Sequence, residues 1–403
     1  MAWMSDGAAA ECAAYCMAQI RHIIDSFGQR PPGGAGERAC QAHLRGQLEE
    51  AGLAPVVESF TVAQKAFMAM PCVAGSLALC SVPLYWLAPR LSPLPVTLAV
   101  LVFVLELFFY AHILSWFFPK SESCNVFAVV PPRGEKRRRI VVCGHADAAY
   151  EWRFNQMFPG RFPLVVAGIL LSFVCVAVLC WAAALFGADT GAGGWRWAGL
   201  AVLLSVPGLL GAVFFTRFDV ASPGAADNLS GALMAVALAR WMKRGGTPLE
   251  NTEYVALVTG CEEAGLEGAR AYVKKHKPEW NDVETVAIAV DTLRDLKDMA
   301  VYNRDLNGRV RHDPALCALL KDAAASCGLD LPYATVTIGS SDGTAFTQAG
   351  VRTAALCAMD PAPAHYYHNR RDTWENLDEN CLVQGARVLG AALEKYDREG
   401  LPK

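Results

Sequence analysis

The stretch "RIVVCGHAD", Arg139–Asp147, contains the pattern on which the fold prediction rests. Its apolar core has no polar interruption, which is typical of a strand that is buried on both faces of a sheet. The run then ends in His145 and Asp147. In open α/β sheets, ligands bind beyond the carboxyl ends of the strands. The stretch therefore predicts a central strand that brings two polar side chains to a binding site.

Five further strand-like runs alternate with amphipathic helix patterns along the chain. The strand-like runs are "PVVESFTV" (55–62), "SCNVFAVVPP" (123–132), "EYVALVTGCEE" (253–263), "ETVAIAVD" (284–291) and "TAALCAMD" (353–360). The helix patterns cover residues 37–53, 228–244, 265–276 and 314–325. Alternation of this kind predicts an α/β fold with a mostly parallel central sheet flanked by helices.

The composition indicates that part of the chain lies in lipid. Only 19% of the 403 residues are charged, and the mean hydropathy is +0.24, which is apolar for a soluble enzyme. The net charge of −3 is small, and the basic run Lys136–Arg139 is too short to indicate a nucleic-acid partner. Fourteen cysteines without CxxC pairs indicate a reducing compartment.

Four apolar runs have the length of about 20 residues that a helical membrane span requires. They are Ala66–Pro89, Pro93–Pro119, Phe162–Ala188 and Trp197–Thr216. Short links at Arg90 and at "DTGAGGWRW" (189–197) join them in two pairs. We therefore predict four transmembrane helices in two hairpins. Glu106, within the second run, is expected to face protein, to pair with a group such as His112, or to serve function.

The hairpins divide the remaining chain into three segments of one domain. The predicted organisation is an N-terminal part at 1–65, hairpin 1 at 66–119, a middle part at 120–161, hairpin 2 at 162–216, and the remainder at 217–403. Basic residues flank the spans on the large-domain side. The positive-inside bias therefore predicts a multi-pass integral membrane protein whose large domain is cytoplasmic.

Polar residues recur where the predicted strands end. Glu262 and Glu263 follow one strand and Asp291 ends another, while Asp227 lies at the start of a predicted helix. Taken alone, a polar residue at the end of a strand more often belongs to a solvated loop without a functional role. Together with His145 they supply the nitrogen and oxygen ligands of a zinc-type site.

Motifs in order across nearly all of the non-membrane chain resemble one known family. They are "GHAD", "GAADNLSG", "EEAGLEGA", "AVD", "SSDGTAF" and "YYHNRRDTWENLD". The sequence resembles the M28 zinc aminopeptidases, dimetal peptidases whose family also includes related carboxypeptidases and glutaminyl cyclases. The resemblance implies a zinc-aminopeptidase-like fold and two divalent metal ions, with zinc expected. It also implies that Asp227 bridges the metals, that His145 and Asp291 complete one site, and that Glu263 and His368 complete the other.

The resemblance further implies roles for three residues that do not bind metal. Glu262 would be the general base, Asp147 would hold the second ring nitrogen of His145, and Tyr367 would help to stabilise an oxyanion. Chemistry agrees, because two divalent ions need a bridging carboxylate and adjacent glutamates can divide metal binding from proton transfer.

Two alternative assignments are possible beside these motifs. His365 is a rival to His368, which is preferred because its flanking residues match the family register. "GSSDG" (Gly339–Gly343) formally matches the serine-hydrolase pattern GxSxG. We set the serine-hydrolase interpretation aside because it leaves the carboxylates and imidazoles unexplained.

Three functional hypotheses follow. The first is a membrane-anchored dizinc aminopeptidase or dipeptidase. The second is an amidase of the same mechanism that acts on amphiphilic substrates such as N-acyl amino acids or lipopeptides. The third is an inactive membrane scaffold or binding protein, and glutaminyl cyclisation is a further alternative. The expected partners are a peptide or amphiphilic amide and the lipid bilayer, while the oligomeric state stays open.

Overall fold

The computed structural model describes residues 3–187, 194–360 and 364–402. The chain divides into two compact units. The sheet unit comprises Met1–Gln64, Lys120–Ala149 and Ala221–Lys403. The helical unit comprises Lys65–Pro119 and Tyr150–Val220. The second segment of the helical unit therefore extends beyond both ends of the predicted hairpin at 162–216.

Thirteen α-helices are described. They are α1 (Asp6–Phe27), α2 (Ala35–Glu50), α3 (Met70–Leu87), α4 (Pro93–Phe109), α5 (Arg153–Met157), α6 (Phe162–Ala182), α7 (Gly194–Leu204), α8 (Val206–Val213), α9 (Gly231–Arg244), α10 (Glu267–His276), α11 (Pro314–Ser326), α12 (Gly343–Gln348) and α13 (Glu379–Glu399). The strands are β1 (Val56–Val62), β2 (Ser121–Val130), β3 (Arg138–His145), β4 (Tyr150–Trp152), β5 (Thr216–Ala221), β6 (Thr252–Thr259), β7 (Glu284–Leu293), β8 (Ala300–Asp305), β9 (Val310–Arg311), β10 (Tyr333–Thr335) and β11 (Arg352–Ala358).

The sheet unit contains a large mixed sheet whose centre is parallel, which confirms the predicted α/β class. The strand order is β1-β2-β6-β3-β7-β11-β8-β10, with β9 paired to β8. Strands β6, β3, β7 and β11 run parallel to one another. The pairs β1–β2, β2–β6 and β8–β11 are antiparallel. The strand predicted from "RIVVCGHAD" therefore lies in the middle of the parallel region.

Alternate side chains of β3 enter two different hydrophobic cores, because successive residues of a strand point to opposite faces. Ile140 and Val142 pack in a core that contains residues of α1, α2, α9, α11 and α13. Val141 and Cys143 pack in a second core with residues of α10 and α12. All four side chains are fully buried. Both faces are covered, so β3 reads as a continuous apolar run.

The helical unit contains the four apolar runs, and two of its helices are long and apolar enough to cross a membrane. These two are Phe67–Leu87 and Pro159–Phe186. Pro93–Phe109 and Trp197–Val213 are shorter apolar helices. Four transmembrane helices therefore stay a prediction. Residues 188–193, at the predicted link between the third and fourth runs, lie outside the described residues.

Small residues allow the helices of this unit to approach closely. A Cβ atom at Gly75 of α3 would lie 2.9 Å from the carbonyl oxygen of Leu209 in α8. A Cβ atom at Gly208 would overlap the hydroxyl of Ser172 in α6. Many large apolar side chains of this unit are exposed. Of the 32 exposed large hydrophobic side chains among the described residues, 27 belong to the helical unit.

Glu106 is buried in α4, as expected for a carboxyl group in an apolar helix. Its Oε1 accepts a hydrogen bond of 2.7 Å from the backbone N–H of Leu114. The helix ends at Phe109, and Tyr110 and His112 have positive φ values of 47° and 53°. Glu106 thus holds the chain where it leaves the helix, ten residues before the predicted end of the run.

Candidate metal centre

The predicted site residues of the sheet unit come together at one edge of the sheet. His145 is the last residue of β3, and Asp291 lies near the end of β7. Glu262 and Glu263 begin a short 3₁₀ helix that follows β6. Because β6, β3 and β7 are parallel neighbours, their carboxyl ends meet at the same edge.

Asp227 reaches this edge from an irregular segment, so the prediction that it lies at the head of a regular helix is wrong. Its φ and ψ values are −111° and 90°, and its peptide bond to Asn228 is cis. The backbone N–H groups of Ala226 and Asp227 both donate to the Asp372 carboxylate, at 2.8 and 3.0 Å. These N–H groups are therefore held outside a regular helix, and α9 begins only at Gly231.

Asp227 lies between two imidazoles. Its Oδ1 is 3.3 Å from Nε2 of His145, and its Oδ2 is 3.4 Å from Nε2 of His368. The same nitrogen of His368 is 3.3 Å from Oε1 of Glu263. Each oxygen of one carboxylate therefore faces a different histidine, as a bridging ligand between two metal ions requires.

The structure contains two overlapping groups of possible metal ligands that share Asp227. One group is His145, Asp227 and Asp291, and the other is Asp227, Glu263 and His368. The ligand atoms of each group lie within 4.8 Å of one another. A third group combines His145, Glu262 and Glu263.

The donor atoms fit a metal ion. In the described part of the chain, the buried atoms His145 Nε2 and Glu263 Oε1 make no aligned hydrogen bond. Both atoms point into the cluster, where the nearest groups are other ligands. Burying such atoms unsatisfied is costly, and coordination of a cation would offset the cost. Imidazole and carboxylate are ligands that zinc accepts.

The electrostatics of the cluster also favour a cation. Burial, together with the neighbouring Asp227, raises the pKa of Asp291 to about 8. Burial likewise raises the pKa of Glu262 well above its usual value, and the charges of Glu263 and Asp342 add to this. Burial opposes a charged His145, but nearby carboxylates raise its pKa well above the usual value. In metal-free protein, bound protons therefore compensate the negative charge of the crowded carboxylates.

Asp147 has two sets of contacts. Its backbone carbonyl oxygen is 3.2 Å from Nδ1 of His145, and its Oδ1 is 3.4 Å from the same atom. Its carboxylate also accepts hydrogen bonds of 3.0 Å from the backbone N–H groups of Glu262 and Glu263. Besides the predicted contact with His145, Asp147 thus holds the turn that carries both glutamates.

Tyr367 stacks on the ring of His368, with ring centroids 3.8 Å apart. It lines a small cavity beside the cluster, whose other lining residues include Asp227, Glu262, Glu263, Asp291, Tyr302, Val336 and Met359. Desolvation and the carboxylates around it raise the pKa of Tyr367 well above the usual value. The phenol therefore stays protonated and can donate a hydrogen bond.

Neither alternative assignment has the contacts that its role would require, although Ser341 lines the cavity beside the cluster. His365 is exposed, whereas His368 is buried in the cluster. The hydroxyl of Ser341, in the stretch that matches GxSxG, donates to the carboxylate of Asp305. A serine hydrolase would instead pair this hydroxyl with a histidine.

A buried set of imidazoles and carboxylates at the carboxyl edge of a parallel sheet is a candidate metal-binding site. The model of peptidase family M28 matches residues 208–393. This match confirms the resemblance found in the sequence. The matched region contains Asp227, Glu263 and His368, whereas His145 precedes it. No curated protein matches the chain by sequence.

Solved structures with the same fold cover almost the whole chain. BSAP, a zinc aminopeptidase from Bacillus subtilis, is 15% identical with a TM-score of 0.57, and the alignment covers 97% of this chain and 96% of that one. An aminopeptidase from Aneurinibacillus sp. strain AM-1 is 14% identical, with a TM-score of 0.56 and coverages of 97% and 96%. The glutaminyl cyclase of Fimbriiglobus ruber is 15% identical, with a TM-score of 0.55 and coverages of 95% and 94%. At these identities the likeness establishes the fold.

Proposed function

We propose that this chain is a membrane-anchored dizinc hydrolase of peptide or amide bonds, acting as an aminopeptidase or dipeptidase. The observation that carries the proposal is the position of Asp227 between His145 and His368. The two imidazoles fall in separate groups of possible ligands, and the carboxylate of Asp227 belongs to both groups. Asp291 and Glu263 then complete a ligand group on either side.

Bound zinc ions would polarise the scissile carbonyl and lower the pKa of the attacking water. Glu262 belongs to neither ligand group that shares Asp227, yet its carboxylate lies 3.8 Å from His145 Nε2. In the proposed reaction, Glu262 takes a proton from the water and delivers it to the leaving amine. The phenol of Tyr367 donates a hydrogen bond to the oxygen that becomes negative.

The helical unit supports membrane anchoring. Most of the exposed large apolar side chains among the described residues lie in this unit, and its helices pack through glycine and serine. Both features are typical of helices in lipid, where small residues permit close helix contact. We further propose that the chain crosses the membrane four times and that the sheet unit is cytoplasmic.

The proposed activity is tested on purified full-length protein in detergent or nanodiscs. Metal analysis is expected to find about two zinc ions per chain, and aminoacyl-fluorophore substrates are expected to be hydrolysed. Glu262→Gln is the matched control, because it should keep both metals and lose activity. Protein that binds two zinc ions without hydrolysing any amide would support the scaffold hypothesis, and conversion of only glutaminyl substrates would support cyclisation.

A second candidate, an amidase for amphiphilic substrates, is favoured by an apolar groove in the helical unit. The groove has a volume of about 470 Å³, and its lining residues are Ala69, Cys72, Val73, Ser76, Leu77, Cys80, Phe118 and Phe218. The Ser76 hydroxyl bonds to the Cys72 carbonyl of the same helix, so the wall offers hydrocarbon rather than free polar groups. Each methylene that an acyl chain buries contributes about 0.8 kcal/mol. An increase of kcat/KM with acyl length in nanodiscs is expected, and a flat series would contradict this candidate.

A further inference from the structure

We infer that the segment Arg30–Glu37, which runs from the loop after α1 into the first turn of α2, is a positioning element of the metal centre. It fixes the turn that carries Glu262 and Glu263, and it fixes the loops that carry His145 and Asp227. It lies far from the matched residues 208–393 in sequence. Neither Arg30 nor Glu37 is a possible metal ligand in the clusters that the described residues form. Both side chains are completely buried, and both bind the backbone of loops that carry metal-centre residues.

Glu37 holds the turn that contains the proposed base. Its Oε1 accepts a hydrogen bond of 2.7 Å from the backbone N–H of Cys261, the residue before Glu262. Its Oε2 accepts from the N–H of Gly33 at 2.6 Å and from the Ser123 hydroxyl at 3.0 Å. From the first turn of α2, Glu37 thus connects the preceding loop and β2 to the turn after β6.

Together, the carboxyl groups of two residues bind three consecutive backbone N–H groups of this turn. Glu37 binds that of Cys261, and Asp147 binds those of Glu262 and Glu263. Cys261 has a left-handed conformation, with φ 53° and ψ 40°, which is unfavourable for a residue with a side chain. The Glu37 hydrogen bond offsets this cost. Without it, Cys261 can relax towards ordinary values and carry Glu262 and Glu263 out of position.

Arg30 holds the two loops that carry His145 and Asp227. Its Nε donates to the carbonyl oxygen of Ala146 at 2.9 Å, and its Nη2 donates to that of Gly224 at 3.0 Å. Ala146 follows His145, and Gly224 begins the segment that leads to Asp227. One guanidinium group therefore fixes the separation of two metal-ligand loops that are 78 residues apart in the chain.

This inference deepens the proposed function and rests on it, so its main test measures zinc affinity rather than turnover. Glu37→Gln leaves one acceptor oxygen for two backbone N–H donors and places an amide NH₂ group against the other donor. It is expected to weaken zinc binding by about 10- to 100-fold, the usual effect of losing an interaction that orients metal ligands. If the enzyme is active, kcat should fall by a similar factor with little change of KM. Zinc affinity is measured by competition with a chromophoric chelator.

Gln41→Met is the matched control for loosening of α2. Gln41 lies one helical turn after Glu37, is also buried, and bonds to Ser123 and to the Cys124 carbonyl, but it makes no hydrogen bond to the turn at 261–263. The control should keep the zinc affinity of the native protein. Equal loss in both variants, or native affinity in Glu37→Gln, would overturn the inference.

Arg30→Lys supplies an independent test if Glu37→Gln does not fold. Lysine keeps the buried charge, but a single ammonium lacks the planar fork that reaches both carbonyl groups. Zinc affinity should again fall by at least about 10-fold. Native zinc affinity in Arg30→Lys would refute the role of the guanidinium. Native protein that binds zinc and hydrolyses nothing would refute the proposed function while leaving these affinity tests valid.

Discussion

Loading of the metal centre is expected to release protons, and the structure indicates how many. In metal-free protein, burial and Asp227 raise the pKa of Asp291 to about 8. Burial opposes the charged form of His368, but Glu263 and Asp227 raise its pKa to about 9. The pKa of His145 is raised as well. All three groups therefore carry a proton at pH 7 without metal, and each must lose it to bind zinc.

The direction and size of the pH dependence follow from these protons. A ligand with a raised pKa in the metal-free state competes with zinc below that pKa, so affinity is weak in acid and rises with pH. Three released protons make the product of the two zinc association constants rise by about a thousand-fold per pH unit near pH 6 to 7. The rise should flatten above the pKa values of Asp291 and His368.

Isothermal titration of metal-free protein with zinc measures the released protons directly. Titrations at pH 7 in two buffers of different ionisation enthalpy should differ by the heat of at least about three protons for a filled centre, because Glu262, whose pKa is also raised, can release a further proton. Asp291→Asn is the matched control, because it removes one of the three ionisable ligands and should lower the number by about one. Release of fewer than about one proton at pH 7 would show that the ligands are already deprotonated, and would refute the reasoning.

Three further predictions concern single residues and the membrane. Glu262→Gln should keep both zinc ions and lose at least about 100-fold in kcat, whereas Glu263→Gln should also lose zinc; active Glu262→Gln protein would contradict the assignment. His368→Ala should lose zinc while His365→Ala keeps it, as metal analysis of both proteins would show. Zinc loss in His365→Ala but not in His368→Ala would show that His365 is the ligand instead. An alkaline carbonate wash should leave the chain in the membrane fraction until detergent is added, and release by the wash alone would contradict membrane spans.

The central strands and the residues at their ends could be predicted because their signal is local. A strand covered on both faces is a continuous apolar run, and "RIVVCGHAD" stops being apolar where the chain leaves the sheet. Parallel pairing then places His145 and Asp291 at the same edge. Sequence reasoning needs only the strand pattern for this step.

Other features depend on contacts that no local pattern reveals. The irregular backbone at Asp227 is fixed by Asp372, 145 residues later. The contact between Glu37 and Cys261 spans 224 residues. Hydropathy also gives the end of a helix poorly, because it reports an apolar environment and not backbone conformation. The run predicted to end at Pro119 is α-helical only to Phe109.

The insertion of a large helical segment between His145 and Asp227 does not disturb the metal centre, for a physical reason. The N–H of Ser222 donates to the carbonyl oxygen of Ala149 at 2.8 Å, so the chain leaves and re-enters the sheet unit at adjacent points. The entropic cost of closing a loop grows only slowly with its length once its ends are held together. Arg30 holds the ligand loops on either side of this junction. The geometry of the ligands is therefore set within the sheet unit, and the inserted segment can differ in length and composition without moving them.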